Sequence, residues 1–208
     1  MDKHISEIKH LIFDLGNVLL PIDFNAPVKA FQAIGLTDFD RLYGEIQQVD
    51  LFNLLETGKI SESTFRNEMR RISGLNWTDQ QIDDAWSAII LDFRASTFSM
   101  LERLAVSYNL YLLSNSNSIH FTRYNQQVID KFHPDGLNAY FKKAYYSHKM
   151  GLRKPDTEIF HAVLRDGDIK ANDCLFIDDN EANIISAKAL GFNTYHHNPT
   201  DIIEDLFN

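Results

Sequence analysis

The sequence of 208 residues contains a single cysteine, Cys174, so an internal disulfide is excluded, as is usual for a protein of a reducing compartment. No apolar stretch approaches the roughly 20 residues that a membrane-spanning helix requires. The first residues, Met1-Asp2-Lys3-His4, also lack the apolar segment of a signal peptide. We therefore expect a cytoplasmic protein with no membrane partner.

Positive charge is scarce, because 20 Lys and Arg residues stand against 29 Asp and Glu residues and give a formal net charge of −9. A broad electropositive surface for nucleic acid is therefore not expected. The sequence also has neither a G-x-G-x-x-G pattern nor a Walker A pattern, the two common nucleotide-binding signatures. Any anionic ligand must then be bound by a small local group of residues.

The composition, with 44% hydrophobic and 24% charged residues, is that of a globular protein. Short apolar runs that read as buried strands alternate with segments of helical periodicity. These runs lie near residues 11–13, 110–113, 144–146, 175–177 and 192–195. The alternation predicts an α/β fold with a Rossmann-like, doubly wound parallel sheet.

A run of helical segments interrupts this alternation after the first strand. Thr78 and Gln81 form a capping-box signature at the start of one predicted helix. Another is predicted after Ser61, with Gly74 as its stop signal, and a short one from Pro27 to Ile34. The spacing thus predicts several helices in succession with no strand between them.

We expect these helices to form a small inserted α-helical cap domain, residues 23–95. Residues 1–22 and 96–208 are expected to form the α/β core domain. The turn Glu56-Thr57-Gly58-Lys59 between two predicted cap helices is a candidate specificity loop, although an ordinary exposed turn fits the sequence as well.

Carboxylates follow two of the predicted strands. Asp14 comes directly after Leu11-Ile12-Phe13, and Asp178-Asp179 comes directly after the run that ends at Ile177. In a parallel sheet these side chains meet at the carboxyl edge, where open α/β folds bind their ligands. Because a buried charge is costly unless it is compensated, the pattern predicts a cation site that can receive a phosphate.

Two further polar motifs lie in comparable positions, Ser114-Asn115 after the strand near 110–113 and Lys154 in a loop before a helix. Taken singly, each has an ordinary structural interpretation as a turn, a solvated charge or, for the aspartates, a helix N-cap. Their joint order and strand context favour a functional site. In chain order the motif residues are Asp14, Ser114-Asn115, Lys154 and Asp178-Asp179.

In this order the residues resemble the four signature motifs of the haloacid dehalogenase (HAD) superfamily, most of whose members are magnesium-dependent phosphatases. Phe13–Val18, Met150–Pro155 and Ile177–Asn180 are similar to a subgroup with a helical cap. That subgroup includes phosphatases acting on glucose 1-phosphate and resembles the phosphatase domain of soluble epoxide hydrolase. The resemblance covers nearly the whole chain.

The resemblance implies that Asp14 is the nucleophile, which attacks phosphorus and forms an aspartyl phosphate that water cleaves. Lys154 would neutralise both Asp14 and a phosphate oxygen. The Ser114 hydroxyl and the Asn115 backbone or amide would bind other phosphate oxygens. Asp14 and Lys154 are thus the implied catalytic residues, and Ser114, Asn115 and Lys154 the substrate-binding ones.

The resemblance also implies a Mg²⁺ cofactor. Its ligands would be the Asp14 carboxylate, the backbone carbonyl of Gly16 and the Asp179 carboxylate. Asp178 would be an auxiliary ligand, although a helix-capping role fits this residue equally well.

Gly16 is a departure from the family pattern, because phosphatases of the superfamily usually have an aspartate there that serves as general acid and base. General acid catalysis contributes about 10² to 10⁴ in rate. We therefore expect an easily departing alcohol, which favours sugar 1-phosphates over sugar 6-phosphates. Asp23 is a weaker candidate for a replacement acid, since its position also suits a helix cap.

The predicted function is hydrolysis of a small phosphate monoester by a Mg²⁺-dependent phosphatase, with a sugar phosphate as the expected substrate. Two alternatives stay open. One is a 2-haloacid dehalogenase that uses the same Asp14 nucleophile, and it needs no metal. The other is a catalytically weakened phosphosugar-binding sensor. The sequence leaves the oligomeric state open.

Overall fold

The structure, a computed structural model, describes residues 8–208, the side chains of Glu45 and Gln48 excepted. The first residues, Met1-Asp2-Lys3-His4, on which the expectation about a signal peptide depends, lie outside the described residues. The central element is a five-stranded sheet. Its strands are β1 (His10–Phe13), β2 (Asn109–Ser114), β3 (Lys143–Tyr146), β4 (Cys174–Asp178) and β5 (Asn193–His196).

The strands are all parallel and lie in the order β3-β2-β1-β4-β5, which confirms the predicted α/β fold. Every apolar run that was predicted as a strand forms one. Cys174 lies at the start of β4 and is buried, as its apolar neighbourhood indicates.

The helices cover the sheet and form an insertion after β1. They are α1 (Ala26–Ala33), α2 (Phe39–Gln48), α3 (Leu51–Glu56), α4 (Glu62–Ser73), α5 (Asp79–Ser87), α6 (Ala95–Leu104), α7 (Ser118–Lys131), α8 (Ser147–Met150), α9 (Thr157–Gly167) and α10 (Glu181–Ala189). Short 3₁₀ segments occupy Leu137–Tyr140, Ala171–Asp173 and Ile203–Phe207. Among the described residues, no helix combines the length and the apolar character needed to cross a bilayer.

The sheet is buried on both faces, because successive side chains of a strand point in opposite directions. In β1, Leu11 and Phe13 join one apolar cluster, which includes side chains of α6 and α7. Ile12 joins a second cluster on the other face, with side chains of α9 and α10. The strands in the middle of the sheet are therefore fixed from both sides, and so is the carboxyl edge on which they end.

Helices α1 to α5 pack around an apolar cluster of their own, separate from the two sheet clusters. The predicted caps are present: Ser61 accepts from the Thr64 backbone N–H, and Thr78 and Gln81 form the reciprocal capping box. Ile119 of α7 also belongs to this cluster, so the inserted helices rest on the core at α7.

The chain enters and leaves the inserted helices through two segments that pair with each other. Ile22 forms an antiparallel bridge with Ile90. The Leu91 N–H donates to the Pro21 carbonyl at 3.1 Å, and the Asp23 N–H donates to the Ile89 carbonyl at 2.9 Å. We propose that this ribbon is the boundary between the cap, residues 23–95, and the core.

The substitution Phe160→Ala tests how much the packing between α9 and the sheet contributes to stability. Phe160 is fully buried against Phe176 and Phe192. We expect Phe160→Ala to lower the free energy of unfolding by about 3–5 kcal/mol, because it removes apolar contacts and leaves a cavity. Chemical denaturation measures this loss. The control is Ile185→Ala on α10, where the side chain is 61% exposed and the expected change is below about 1 kcal/mol. Equal losses in the two variants would contradict this packing.

Candidate active site

The register of the sheet brings Asp14 beside Asp178. Phe13 pairs with Ile177 in the parallel ladder, and the Asp14 N–H extends that ladder by donating to the Ile177 carbonyl at 2.8 Å. Both carboxylates therefore lie at the carboxyl edge of neighbouring strands. With Asp179, they place one potential ligand atom each within 4.8 Å of one another. The predicted meeting of these three acids at one edge is thus present in the structure.

The Lys154 ammonium lies between two of these acids. Its Nζ donates to Asp14 Oδ1 at 2.7 Å and to Asp178 Oδ2 at 2.6 Å. The Lys154 side chain is entirely buried, and so is that of Asp178. A buried charge of this kind is stable only when it is paired and hydrogen-bonded. One cation is shared by two anions, so this group still carries a net negative charge when both acids are ionised.

The pKa values follow from this arrangement. Burial raises the pKa of Asp14 to about 7, although Lys154 acts in the opposite direction. Burial opposes the charge on Lys154, but the Asp14 and Asp178 carboxylates outweigh it and raise the pKa of the ammonium above its ordinary value. Lys154 is therefore charged at neutral pH, and further positive charge near Asp14 would favour the ionised form of that acid.

Asn115 holds Lys154 through its backbone. The Asn115 Oδ1 accepts from the Lys154 N–H at 2.9 Å, and the Asn115 Nδ2 donates to the Lys154 carbonyl at 2.8 Å. The loop after β2 is fixed in turn by Ser147, whose hydroxyl accepts from the Ser116 N–H and donates to the Ser116 carbonyl. The Asn115 side-chain amide is thus already engaged within the protein.

Asp178 uses all of its hydrogen-bonding capacity inside the protein. Oδ1 accepts from the Asn180 N–H and from Asn183 Nδ2, and Oδ2 accepts from Lys154 Nζ and from the same Asn183 amide. A carboxylate has about four lone-pair positions, and these four contacts fill them. We therefore propose that Asp178 positions Lys154 rather than binding a metal directly.

Asp179 and Gly16 lie on the open side of the cluster, where both line the cavity described below. The Asp179 Oδ2 accepts from Asn17 Nδ2 at 3.0 Å. Asn17 has a φ of 56°, a left-handed conformation that asparagine adopts more readily than most residues. The oxygen donors and the surplus of negative charge suit Mg²⁺, which prefers carboxylate and carbonyl oxygens. We propose Asp14, the Gly16 carbonyl and Asp179 as its protein ligands.

A cavity of about 620 Å³ lies above these residues, between the core and the inserted helices. The predicted site residues on its wall are Asp14, Gly16, Ser114, Asn115, Lys154 and Asp179. Asp178 is not among the described residues that line it, in keeping with its saturated hydrogen bonds. Asp23 is not among them either, and its carboxylate accepts from the Asn25 N–H at 2.8 Å near the start of α1. Asp23 therefore closes a short turn before α1, whose N-cap residue is Asn25, and these contacts do not support the role of replacement acid.

Several polar residues of the site were missed by the sequence analysis. Asn17 and Asn183 bind the acidic cluster, and His120 and Arg153 line the cavity. Glu56 lines it as well, and it belongs to the turn 56–59 that the sequence offered as a candidate specificity loop. A signal exists for the two asparagines, since each lies within five residues of a motif aspartate in a turn or a first helical turn. Burial lowers the pKa of His120 to about 4, so this ring is neutral, and its Nε2 donates to the Trp86 carbonyl of the cap.

Comparison with known proteins adds evidence that the geometry alone does not contain. The sequence pattern of the haloacid dehalogenase-like hydrolases matches residues 56–196. The D-ribitol-5-phosphate phosphatase of Bacteroides thetaiotaomicron is 33% identical over 190 residues, which cover 90% of this chain and 91% of that protein.

Solved structures give the same result. A HAD family enzyme of Bacteroides thetaiotaomicron, in complex with magnesium and inorganic phosphate, superposes with a TM-score of 0.90 and 34% identity over 97% of this chain and 100% of that one. A HAD-like hydrolase of Porphyromonas gingivalis superposes with a TM-score of 0.83 and 34% identity over 94% of this chain and 93% of that one.

The different surroundings of Asp178 and Asp179 lead to a prediction about metal binding. We expect Asp179→Asn to weaken Mg²⁺ binding more than tenfold, and Asp178→Asn to weaken it much less, because only the first substitution removes a proposed ligand. The dependence of the melting temperature on Mg²⁺ concentration measures both affinities. Equal weakening by the two substitutions would contradict the assignment of Asp178 to Lys154.

Proposed function

The chain belongs to the haloacid dehalogenase-like hydrolases, and on this premise we propose that it is a magnesium-dependent phosphatase acting on a small sugar or polyol phosphate. The observation that carries the proposal is the buried Lys154 ammonium, bonded to Asp14 and Asp178 at the floor of a cavity. The relative that is a D-ribitol-5-phosphate phosphatase supports the substrate class, and the relative solved with magnesium and phosphate supports the cofactor.

Asp14 is the proposed nucleophile. Its carboxylate oxygen forms a bond to phosphorus while the ester P–O bond breaks, so that the alcohol leaves as its alkoxide, takes a proton from water, and an aspartyl phosphate remains. Water then attacks phosphorus and gives up its protons to solvent, the bond between phosphorus and the Asp14 oxygen breaks, and inorganic phosphate leaves with the Asp14 carboxylate regenerated. Lys154 offsets negative charge on Asp14 and on the phosphate throughout, which lowers the repulsion between two anions. Bound Mg²⁺ supplies further charge neutralisation for the phosphate and for Asp14.

Three groups are proposed to hold the phosphate. They are the Ser114 hydroxyl, the Asn115 backbone N–H and the Lys154 ammonium, all at the wall of the cavity. The engagement of the Asn115 amide with the Lys154 backbone supports the backbone N–H over the side chain as the phosphate donor.

The position of the phosphate on the substrate is a finer proposal. Gly16 supplies no acid for the leaving alcohol, which favours an anomeric phosphate, since an anomeric hydroxyl departs more readily than a primary one. The named substrate of the ribitol-phosphate relative carries its phosphate on a primary alcohol. We therefore propose sugar or polyol phosphates as the class, and within one sugar we expect the 1-phosphate to react faster than the 6-phosphate.

The three clustered acids favour the phosphatase over the two alternatives. A dehalogenase attacks an uncharged carbon and needs no cation, so a surplus of carboxylates beside its nucleophile would be an unnecessary cost. A sensor would not need Asp14 at the cavity with a paired ammonium behind it. Formation of an acid-labile phosphoryl adduct in a single turnover separates the enzyme from the sensor.

Asp14→Asn and removal of Mg²⁺ test the proposed function together. We expect the wild-type protein to release phosphate from p-nitrophenyl phosphate, ribitol 5-phosphate and glucose 1-phosphate only with Mg²⁺ present. Asp14→Asn is expected to lower kcat at least about 10³-fold, because the amide is a poor nucleophile. Glucose 6-phosphate is the comparison substrate for glucose 1-phosphate, and it is expected to react more slowly. Full activity in Asp14→Asn, or in the presence of a chelator, would overturn the proposal.

Restoring an acid at position 16 tests the role of the missing aspartate. A Cβ on Gly16 meets only the end of the Ile22 side chain, at 3.2 Å, and the backbone φ there is not in the left-handed region. We expect Gly16→Asp to raise kcat for ribitol 5-phosphate about tenfold or more, and to change p-nitrophenyl phosphate hydrolysis little, because nitrophenolate leaves without a proton. Gly16→Asn is the control of equal size, and an increase in that variant would contradict this explanation.

A further inference from the structure

An ion pair joins the cap to the core at the wall of the cavity. Arg153 Nη2 lies 3.2 Å from Glu56 Oε2, and Arg153 Nη1 donates to Asn53 Oδ1 at 3.1 Å. Glu56 ends α3 of the cap, and Arg153 precedes Lys154 in the core. Both Glu56 and Arg153 line the same cavity as Asp14. A substrate whose phosphate lies at Asp14 and Lys154 therefore has this pair on the wall of the same cavity.

Glu56 is distinctive among the residues that the cap contributes to this cavity. Of the described residues 23–95 that line the wall, Glu56 is the one with an ionisable carboxylate. The others are aromatic or aliphatic, and among these Tyr43 and Trp86 each carry one polar hydrogen. A carboxylate repels phosphate, so Glu56 suits the end of the substrate that bears no phosphate. Glu56 also neutralises the positive charge of Arg153, so this wall is poorly suited to bind a second phosphate of a bisphosphorylated substrate.

The polar groups of this wall that a ligand can meet belong to the ion pair itself. Arg153 has further Nη–H donors beyond its bonds to Glu56 and Asn53, and Glu56 has a second carboxylate oxygen. Arg153 Nε and Trp86 Nε1 also lack a partner among the described residues, but both atoms are fully buried and do not face the cavity. The wall therefore offers N–H donors together with the Glu56 carboxylate, an acceptor.

The aromatic part of the wall is already stacked on itself. Phe52 and Trp86 are nearly parallel, with ring centroids 4.6 Å apart, and His120 stacks on Trp86 with a centroid distance of 5.1 Å. These stacked faces are in contact within the protein, which disfavours them as a platform for a flat ring of the substrate. Polar contacts at Glu56 and Arg153 are then the better means of selecting a substrate.

The turn after Glu56 is held firmly against the core. Gly58 approaches the His148 carbonyl so closely that no Cβ would fit between them. The Thr57 hydroxyl also donates to the Asn53 carbonyl at 2.7 Å and closes the end of α3. The predicted loop 56–59 is therefore packed on the core, which fixes Glu56 relative to Arg153.

We propose that Glu56 and Arg153 form a hydroxyl-recognition site, which selects phosphate esters of a neutral polyhydroxy chain. The inference rests on the proposed phosphatase function and deepens it. Each substrate hydroxyl is both donor and acceptor, so it donates to the Glu56 carboxylate and accepts from the Arg153 guanidinium. An alkyl chain without hydroxyls cannot make these hydrogen bonds, and Glu56 and Arg153 then stay paired only with each other, so such a substrate gains nothing from this site.

The experiment compares two substrates that differ only in their hydroxyls, ribitol 5-phosphate and pentyl phosphate. We expect Glu56→Gln and Arg153→Lys to lower kcat/KM for ribitol 5-phosphate about tenfold or more, mainly through KM, because hydrogen bonds to charged groups are lost. For pentyl phosphate, kcat/KM is expected to stay within about threefold of the wild-type value.

A matched control pair lies on the surface of the cap. Glu68 and Arg71 form an ion pair at 2.8 Å within α4, away from the cavity, so Glu68→Gln and Arg71→Lys are expected to leave both substrates unchanged. An equal loss for both substrates in the Glu56 and Arg153 variants, or no loss for either, would overturn the inference.

The wild-type protein separates this inference from the proposed function. No hydrolysis of p-nitrophenyl phosphate in the presence of Mg²⁺ would refute the phosphatase function itself. Hydrolysis of p-nitrophenyl phosphate without a preference for ribitol 5-phosphate over pentyl phosphate would refute the hydroxyl-recognition site alone.

Discussion

The sharing of one buried ammonium between two carboxylates is the constraint on which the site depends. Lys154 has no exposed surface on its side chain, so it requires Asp14 and Asp178 as partners, and each of these acids requires Lys154. The surrounding contacts follow from this need, because Asn115 fixes the backbone of the lysine and Asn183 fixes Asp178. With Asp179 the cluster holds three carboxylates and one ammonium, so two negative charges are in excess when all three acids are ionised, which suits a divalent cation.

Sequence reasoning was most successful where local pattern and strand register determine the outcome. Asp14 and Asp178 could be brought together from sequence because each follows an apolar strand, and parallel strands align their carboxyl ends. Lys154 was different, since nothing local distinguishes it from a solvated lysine, and only the order of motifs pointed to it. The hydrogen bonds from the Asn115 amide to the Lys154 backbone join residues 39 positions apart, and neither segment contains a local sequence pattern that predicts them.

The cap shows the same limit at the level of a domain. Its helices were predicted because caps such as Thr78 with Gln81 and the apolar spacing are local properties. The turn 56–59 was named as a candidate specificity loop, but the individual residues that the cap presents to the cavity were not identified, because they depend on how α3 meets the core. In the sequence, Glu56 has no feature that distinguishes it from other acids at helix ends, because its pairing with Arg153 depends on the packing of the cap on the core. Specificity determinants that arise between two domains are therefore poorly visible in one sequence.

The ribbon that joins Pro21–Asp23 to Ile89–Leu91 has a consequence for the evolution of such proteins. Both crossings between the two domains lie side by side in a single hydrogen-bonded pair. The intervening segment can therefore be replaced by a different one without altering the sheet, provided that the two junction segments keep their pairing. A new inserted segment would then bring a different partner to Arg153, while Asp14, Lys154 and Asp178 keep their contacts within the core.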